Sequence, residues 1–384
     1  MTSEQLQKLF KQYKETALYH RYITNHHIEP LIKKIAGFTT IKLSGQSVLN
    51  QPIYSIQIGR GKKRIFMWSQ MHGNESTTTK AIFDMLNTFA SNNDHTKHIL
   101  ETCTILIIPI LNPDGAKAYT RLNANGVDLN RDAQDVSQPE SKLLRNVFDD
   151  FKPHYCFNLH GQRSIFSAGT SSLPATVSFL SPAQDKARTV TTNRRVAMEV
   201  IGAMNTILQS VIPNQVGVYD DAFNINCVGD TFQSLNVPTI LFEAGHYGLD
   251  YERETTRAFI YMSLMTALNY ISTRDVNGEH SNGYFDIPEN KKCFYDIIIR
   301  NTLVEMDSDY AKQDIGMLYQ EVLEGDTIVF KPKIEKIGDL TGYYGHREID
   351  AKVKQVYSLN KIPIQIGHEN DFVILNNEKI SLLL

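Results

Sequence analysis

Short apolar runs closed by polar or glycine-rich turns alternate, over the first 275 or so residues, with stretches whose apolar positions recur at helical spacing. The runs at 53–59, 64–70, 104–110, 153–159 and 238–242 are too apolar for solvated edges, so they read as buried strands. Between them, residues 76–90 carry Ile82, Phe83, Met85, Leu86 and Phe89 on a helical face. Ser137 and Glu140 form a capping-box pattern ahead of Leu143, Leu144, Val147, Phe148 and Phe151, and further helices are expected at about 192–210 and 253–272. This alternation predicts an α/β fold, with a mostly parallel or mixed central sheet and helices on both faces. Residues 1–34 read as a polar, partly amphipathic helical segment. Turn-forming residues cluster at 273–283, and beyond them the pattern changes to short apolar strands at 294–299, 327–330 and 372–375. The expected organisation is an N-terminal helical segment (1–34), a main domain (35–275) and a small C-terminal β domain (284–384).

The chemistry concentrates where strands end. His72-Gly73-Asn74-Glu75 places an imidazole and a carboxylate three residues apart, at the turn between the 64–70 strand and the 76–90 helix. That is half of a zinc site. Catalytic zinc takes three protein ligands and leaves a position for water, so a third donor is needed at another strand end. His160, closing the 153–159 run, meets that need. An HxxE pair by itself is more often a loop histidine beside a solvated glutamate, but this one has company. Asn112-Pro113-Asp114-Gly115 is a strong turn signal, and Arg121 and Gly126-Val127-Asp128-Leu129-Asn130-Arg131-Asp132 follow it closely. His26, His27, His95 and His98 lack such surroundings and read as solvated; the last two are placed in a loop beginning at Ser91.

At this point the chain resembles the zinc metallocarboxypeptidases (carboxypeptidase A-like), whose motifs run in the same order: HxxE, NPDG, an arginine, GVDxNR, a lone histidine and a late glutamate, here Glu243. The resemblance covers roughly residues 35–272. It implies one zinc per chain held by His72, Glu75 and His160, with Glu243 taking the proton of the attacking water and returning it to the leaving amine. It further implies that Arg121 stabilises the tetrahedral oxyanion and that Asn130 and Arg131 hold the free carboxylate of a peptide. The ordinary alternative for the arginines is a surface salt bridge to Asp128 or Asp132. Tyr219 is the counterpart of the family's closing tyrosine, with Tyr247 as a competitor, and the substrate-selecting residue falls within Asn226-Cys227-Val228-Gly229. A second group, the aspartoacylases and succinylglutamate desuccinylases, is similar in its HGNE motif, in Asp128-Leu129-Asn130-Arg131, in Asn158-Leu159-His160 and in having a C-terminal β domain. It would make the substrate an N-acyl amino acid instead of a peptide. The NPDG turn and the spacing of Arg121 to Gly126 favour the peptidase.

Composition narrows the partners. With 39 basic and 42 acidic residues and a net charge of −3, neither nucleic acid nor an anionic membrane is expected to bind. Cys103, Cys156, Cys227 and Cys293 are far apart, two of them inside expected strands, which suits reduced core residues. The first residues lack the apolar stretch of a secretory signal, so a cytoplasmic protein is expected.

Overall fold

The computed structural model describes residues 1–306, 309–358, 362–375 and 378–384. The chain forms two compact units, one from Met1–Gln162 with Ala175–Asn290, the other from Arg163–Pro174 with Lys291–Leu384.

The larger unit opens with helices α1 (Ser3–Tyr13) and α2 (Asn25–Ile35), then strands β1 (Thr40–Gln46), β2 (Pro52–Gly59) and β3 (Lys63–Ser69). Helices α3 (Thr77–Ala90) and α4 (Asp94–Thr102), strand β4 (Cys103–Ile108), helices α5 (Pro113–Ala118) and α6 (Pro139–Phe151) and strand β5 (Tyr155–Gly161) follow. After a short strand β6 (Phe166–Ala168) in the other unit come β7 (Val177–Leu180), α7 (Thr192–Gln209), β8 (Val216–Val218), α8 (Val228–Ser234), β9 (Thr239–Ala244) and α9 (Glu254–Thr273). The eight-stranded sheet runs β1-β2-β4-β3-β5-β9-β7-β8. Its centre, β4-β3-β5-β9, is parallel, while β1, β2 and β7 pair antiparallel.

Period-two side-chain direction explains why the strands read as continuous apolar runs. Along β3, Ile65 and Met67 join the core cluster that includes residues of α3, α7 and α9, whereas Phe66 and Trp68 join residues of α6 and α8 on the other face. With both faces covered, ligands are left the carboxyl edge, where β3, β5 and β9 all end.

Local structure departs from the sequence expectations in several places. The polar stretch after Ala90 is short, since α4 begins at Asp94; His95 and His98 are therefore helical, and His98 Nε2 lies 3.1 Å from Asn269 Oδ1. His27 is not solvated like its neighbour: its Nδ1 accepts from the Thr24 amide and caps α2. The capping box at Ser137 does not form. Ser137 hydroxyl donates to Asp132 instead, α6 starts at Pro139, and the Glu140 carboxylate accepts from the Val48 amide and from Asn123. The N-terminal helices are not a separate segment, because Leu6, Leu18, Ile28 and Ile32 sit in the main core cluster.

The smaller unit takes β6, β10 (Asn290–Lys292), β11 (Phe294–Met306), β12 (Asp309–Glu324), β13 (Thr327–Gly338), β14 (Tyr344–Tyr357), β15 (Phe372–Leu375) and β16 (Glu378–Ser381). Its six-stranded sheet runs β13-β12-β11-β14-β15-β16, with β11 and β14 parallel, and β10 pairs with β6. The first strands run well past their apolar stretches, as half-buried alternation continues where the sequence turns polar; β13 shows this alternation over most of its length. Residues 163–174 belong to this unit although they follow directly on β5, and the boundary near Asn290 lies later than the turn cluster suggests.

Candidate metal centre

Two elements deliver the three donors. His72 and Glu75 lie in the turn after β3, closed by the Glu75 amide donating to the His72 carbonyl at 3.0 Å, and His160 lies near the end of β5. One ligand atom from each of His72, Glu75 and His160 falls within 4.8 Å of the others. His72 Nδ1 is 2.9 Å from Glu75 Oε1 and 3.1 Å from His160 Nδ1, and His160 Nδ1 is 3.0 Å from Glu75 Oε2. Two ring nitrogens pointing at each other and at a carboxylate suit a shared cation: zinc at about 2.0–2.2 Å from each donor would hold them at roughly this spacing. The far side agrees. His72 Nε2 lies 3.1 Å from Asp128 Oδ1, the carboxylate partner that fixes which nitrogen is left to ligate, and Gly161 amide donates to Glu75 Oε2 at 3.0 Å.

The turn is braced by Asn112-Pro113-Asp114-Gly115. Asn112 amide donates to the Gln70 carbonyl at 3.0 Å, and Asn112 Oδ1 accepts from Gly115 to start α5. A Cβ on Gly73 would stand 2.0 Å from the Gly115 carbonyl carbon, so the two backbones meet where only glycine fits. Asp114 in turn accepts from the Ser47 hydroxyl and the Leu49 amide. The motif read as a turn signal is the buttress of the His72–Glu75 turn.

Charges are strongly coupled here. Burial opposes a charged His72, but the Glu75 carboxylate and the Asp128 contact outweigh it and raise the imidazole to about 9. Burial likewise pushes against ionised Glu75 and Asp128, yet neighbouring His72 holds both well below the carboxylate range. Burial lowers His160.

Glu243 is the Cα partner of His160 across the parallel β5–β9 pair, so the two side chains share a face. Its Oε2 is buried with no hydrogen-bond partner among the described residues. Burial first, and the Glu75 charge second, push the Glu243 carboxyl well above its ordinary range, against the pull of His72, Arg121 and Arg253. Arg253, which the sequence did not single out, donates to the Ala244 and Gln162 carbonyls at 2.6 Å each and ties the ends of β9 and β5 beside Glu243.

Arg121 lies at the rim with its side chain 46% exposed, pairing with Asp128 at 3.0 Å and approaching Glu75 at 3.5 Å. The salt bridge to Asp128 expected of a surface arginine does form, but it forms beside the His72–Glu75–His160 cluster. Asn130 Oδ1 accepts from the Val228 amide at 3.0 Å, and Arg131, exposed, is steadied by the Asn130 carbonyl at 2.8 Å. The Tyr219 hydroxyl is raised by burial and then by the charges of Glu243 and Glu75. Tyr247 is exposed and packs on Phe259. Cys227 caps α8, and a Cβ on Gly229 would meet Pro182 and lie 3.9 Å from Asn158 Nδ2.

Residues 24–187 match the zinc carboxypeptidase family model, a span that contains His72, Glu75, Arg121, Asn130, Arg131 and His160 and stops short of Glu243. Carboxypeptidase 2 of Trichophyton rubrum is 29% identical over 113 residues, covering 29% of this chain and 20% of that one. Carboxypeptidase E of Caenorhabditis elegans is 29% identical over 181 residues, covering 38% and 37%. The match thus spans about a fifth of the length of the fungal relative. Among solved structures, a metallo-carboxypeptidase from Burkholderia cenocepacia is similar with a TM-score of 0.50 at 14% identity, covering 64% of this chain and 69% of that one. Bovine thrombin-activatable fibrinolysis inhibitor gives 0.52 at 16% identity, covering 66% and 97%. Residues 24–187 are thus similar to the zinc carboxypeptidase family, and about two thirds of the chain shares a carboxypeptidase-like fold.

Proposed function

We propose that this protein is a zinc-dependent metallocarboxypeptidase that removes the C-terminal residue of peptides. The observation that carries the reading is the convergence of His72, Glu75 and His160 donors within 4.8 Å, with Glu243 in register beside His160. Zinc held by those three residues would supply a Lewis acid that polarises the scissile carbonyl and acidifies a water. Glu243, whose buried Oε2 has no hydrogen-bond partner among the described residues, is suited to accept the proton of the attacking water and to return it to the leaving amine. The half-exposed Arg121 guanidinium offers donors to a developing oxyanion. Because Val228 occupies Asn130 Oδ1, the Asn130 amide group remains to donate, and with Arg131 it suits a substrate carboxylate. Peptides with a free terminal carboxylate are therefore the proposed substrates. All four cysteines are free, which supports a reducing compartment such as the cytoplasm. No helix among the described residues is long and apolar enough to cross a membrane.

Metal analysis of the purified protein together with a substrate panel tests the reading. One zinc per chain, lost in His160→Ala, and release of C-terminal residues from peptides are expected. Cleavage confined to N-acyl amino acids would move the protein to the deacylases, and absence of stoichiometric zinc would end the proposal.

A further inference from the structure

The chain between the first two helices runs past the back of the metal-binding turn, and buried side chains grip it at both ends. Arg257, fully buried, donates to the Glu15 carbonyl at 2.7 Å and the Leu18 carbonyl at 2.6 Å while pairing with buried Asp84, which itself accepts from the Glu15 amide. Further along, the Ser76 hydroxyl donates to the Arg21 carbonyl, and Gln70 Nε2 donates to the Ile23 carbonyl at 3.0 Å. The same Gln70 nitrogen donates to the Gly73 carbonyl at 2.8 Å. Gln70 and Ser76 bracket the His72–Glu75 turn in sequence, so both of its ends are fastened to one strand of backbone.

Gln70 is also in an unusual backbone state. It is completely buried with φ +44, a left-handed conformation that a glutamine adopts only where its surroundings impose it. Two carbonyls facing one nitrogen demand a group with two donors, which the amide supplies and a carboxylate or thioether cannot. Nothing in metal chemistry requires this residue, since it offers no ligand to the cluster. What it does is fix where the turn begins.

We infer that residues 15–24 form a strap that positions the metal-binding turn, acting through Gln70 and Ser76, and that this strap sets how tightly the site holds zinc. The inference rests on the zinc reading of the site. Gln70 is a positioning residue: it touches neither donor atom but holds the backbone from which His72 and Glu75 project. Groups hydrogen-bonded directly to ligand side chains cost about 10–100-fold in metal affinity when removed, and Gln70, acting through the backbone of the turn that carries two donors, is assigned an effect of that order.

The test is zinc affinity of the full chain by competition with a chromophoric chelator, for the wild type, Gln70→Met and Ser76→Ala. Gln70→Met keeps the length and removes both donors; its zinc Kd should rise about 10–100-fold, with a smaller rise for Ser76→Ala. A strap that merely stabilises the fold would lower the melting temperature of the metal-free variants and leave the zinc Kd of the folded protein within about threefold of wild type, and that result overturns the inference. Should Gln70→Met not fold, the Ser76→Ala Kd decides alone on the same criterion. A wild type that binds no zinc at all would instead overturn the functional reading beneath it.

Discussion

A buried carboxylate oxygen without a partner, like Glu243 Oε2, ordinarily costs about 1–3 kcal/mol. Glu243→Gln is nearly isosteric, so it should retain zinc and a melting temperature at or above the wild type while losing about 10²- to 10⁴-fold in kcat, because an amide cannot accept the water's proton. Near-normal kcat in the zinc-loaded variant would make Glu243 structural. Arg131 belongs to the same scale. A charge-assisted contact to the substrate carboxylate is worth about 1.5–3 kcal/mol, so Arg131→Ala should cost roughly 10- to 100-fold in kcat/KM on free peptides and little on C-terminally amidated ones. Equal losses on both would refute the anchor. The sequence makes His72 and Glu75 legible as a pair because three residues of one turn hold them together. It could not display the partnership of His160 with Glu243, since the strand register joining them spans 83 positions of chain. Asp128 behind His72 and Arg253 beside Glu243 were hidden for the same reason: each acts through a contact made only after folding.

Helices and turns were read well where burial set the pattern and poorly where polar groups chose between local partners. Asp132 outbids the Ser137 capping box by drawing both the hydroxyl and the amide of Ser137, and Glu140 finds the Val48 amide across the fold. Helix α8 carries the clearest electrostatic consequence at this scale. Asp230, in its first turn, is 8% exposed, and burial pushes its carboxyl up from 3.8 to about 6 despite the Asn224 amide and the pull of Arg131 and Arg194. A raised acid binds its proton more tightly in the folded chain than in the unfolded one. Stability from this group is therefore greatest below about pH 4 and falls as pH rises toward about 6, leaving a penalty on the order of 3 kcal/mol at neutral pH. Asp230→Asn keeps an acceptor for the Asn224 amide and removes the charge. Urea unfolding should show the variant more stable than wild type by about 1–3 kcal/mol at pH 7 and indistinguishable from it near pH 4. A variant less stable at pH 7 would mean that the arginines, not burial, govern this carboxylate.

The alternation of strands and helices, and the change to β structure in the C-terminal part, were legible because burial on two faces of one sheet and on one face of another leave different periodicities. How the chain divides between the units was not, since residues 163–174 leave no signature: β6 finds its partner β10 more than a hundred residues away. The amino-terminal segment was obscured for a different reason. Its surface is polar enough to read as an appendage, yet Leu6, Leu9, Leu18, Ile23, Ile28, Leu31, Ile32 and Ile35 are all buried. Seven of these lie within residues 1–34, and at about 1.5–3 kcal/mol for each full burial their loss equals or exceeds the roughly 5–15 kcal/mol that holds a whole domain. Its loss would also strip Arg257 and Asp84 of the Glu15 and Leu18 backbone groups that satisfy them, at about 1–3 kcal/mol for each buried group left without its partner. A chain beginning at residue 35, where sequence alone would cut, should therefore fail to reach the native fold and be digested by dilute protease at a rate set by an unfolded chain. Supplying residues 1–34 as a separate peptide should restore protection in proportion to its concentration, because the lost contacts are non-covalent. If the truncated chain instead melts cooperatively near the wild-type temperature, the amino-terminal helices are dispensable and the core of the larger unit closes without them.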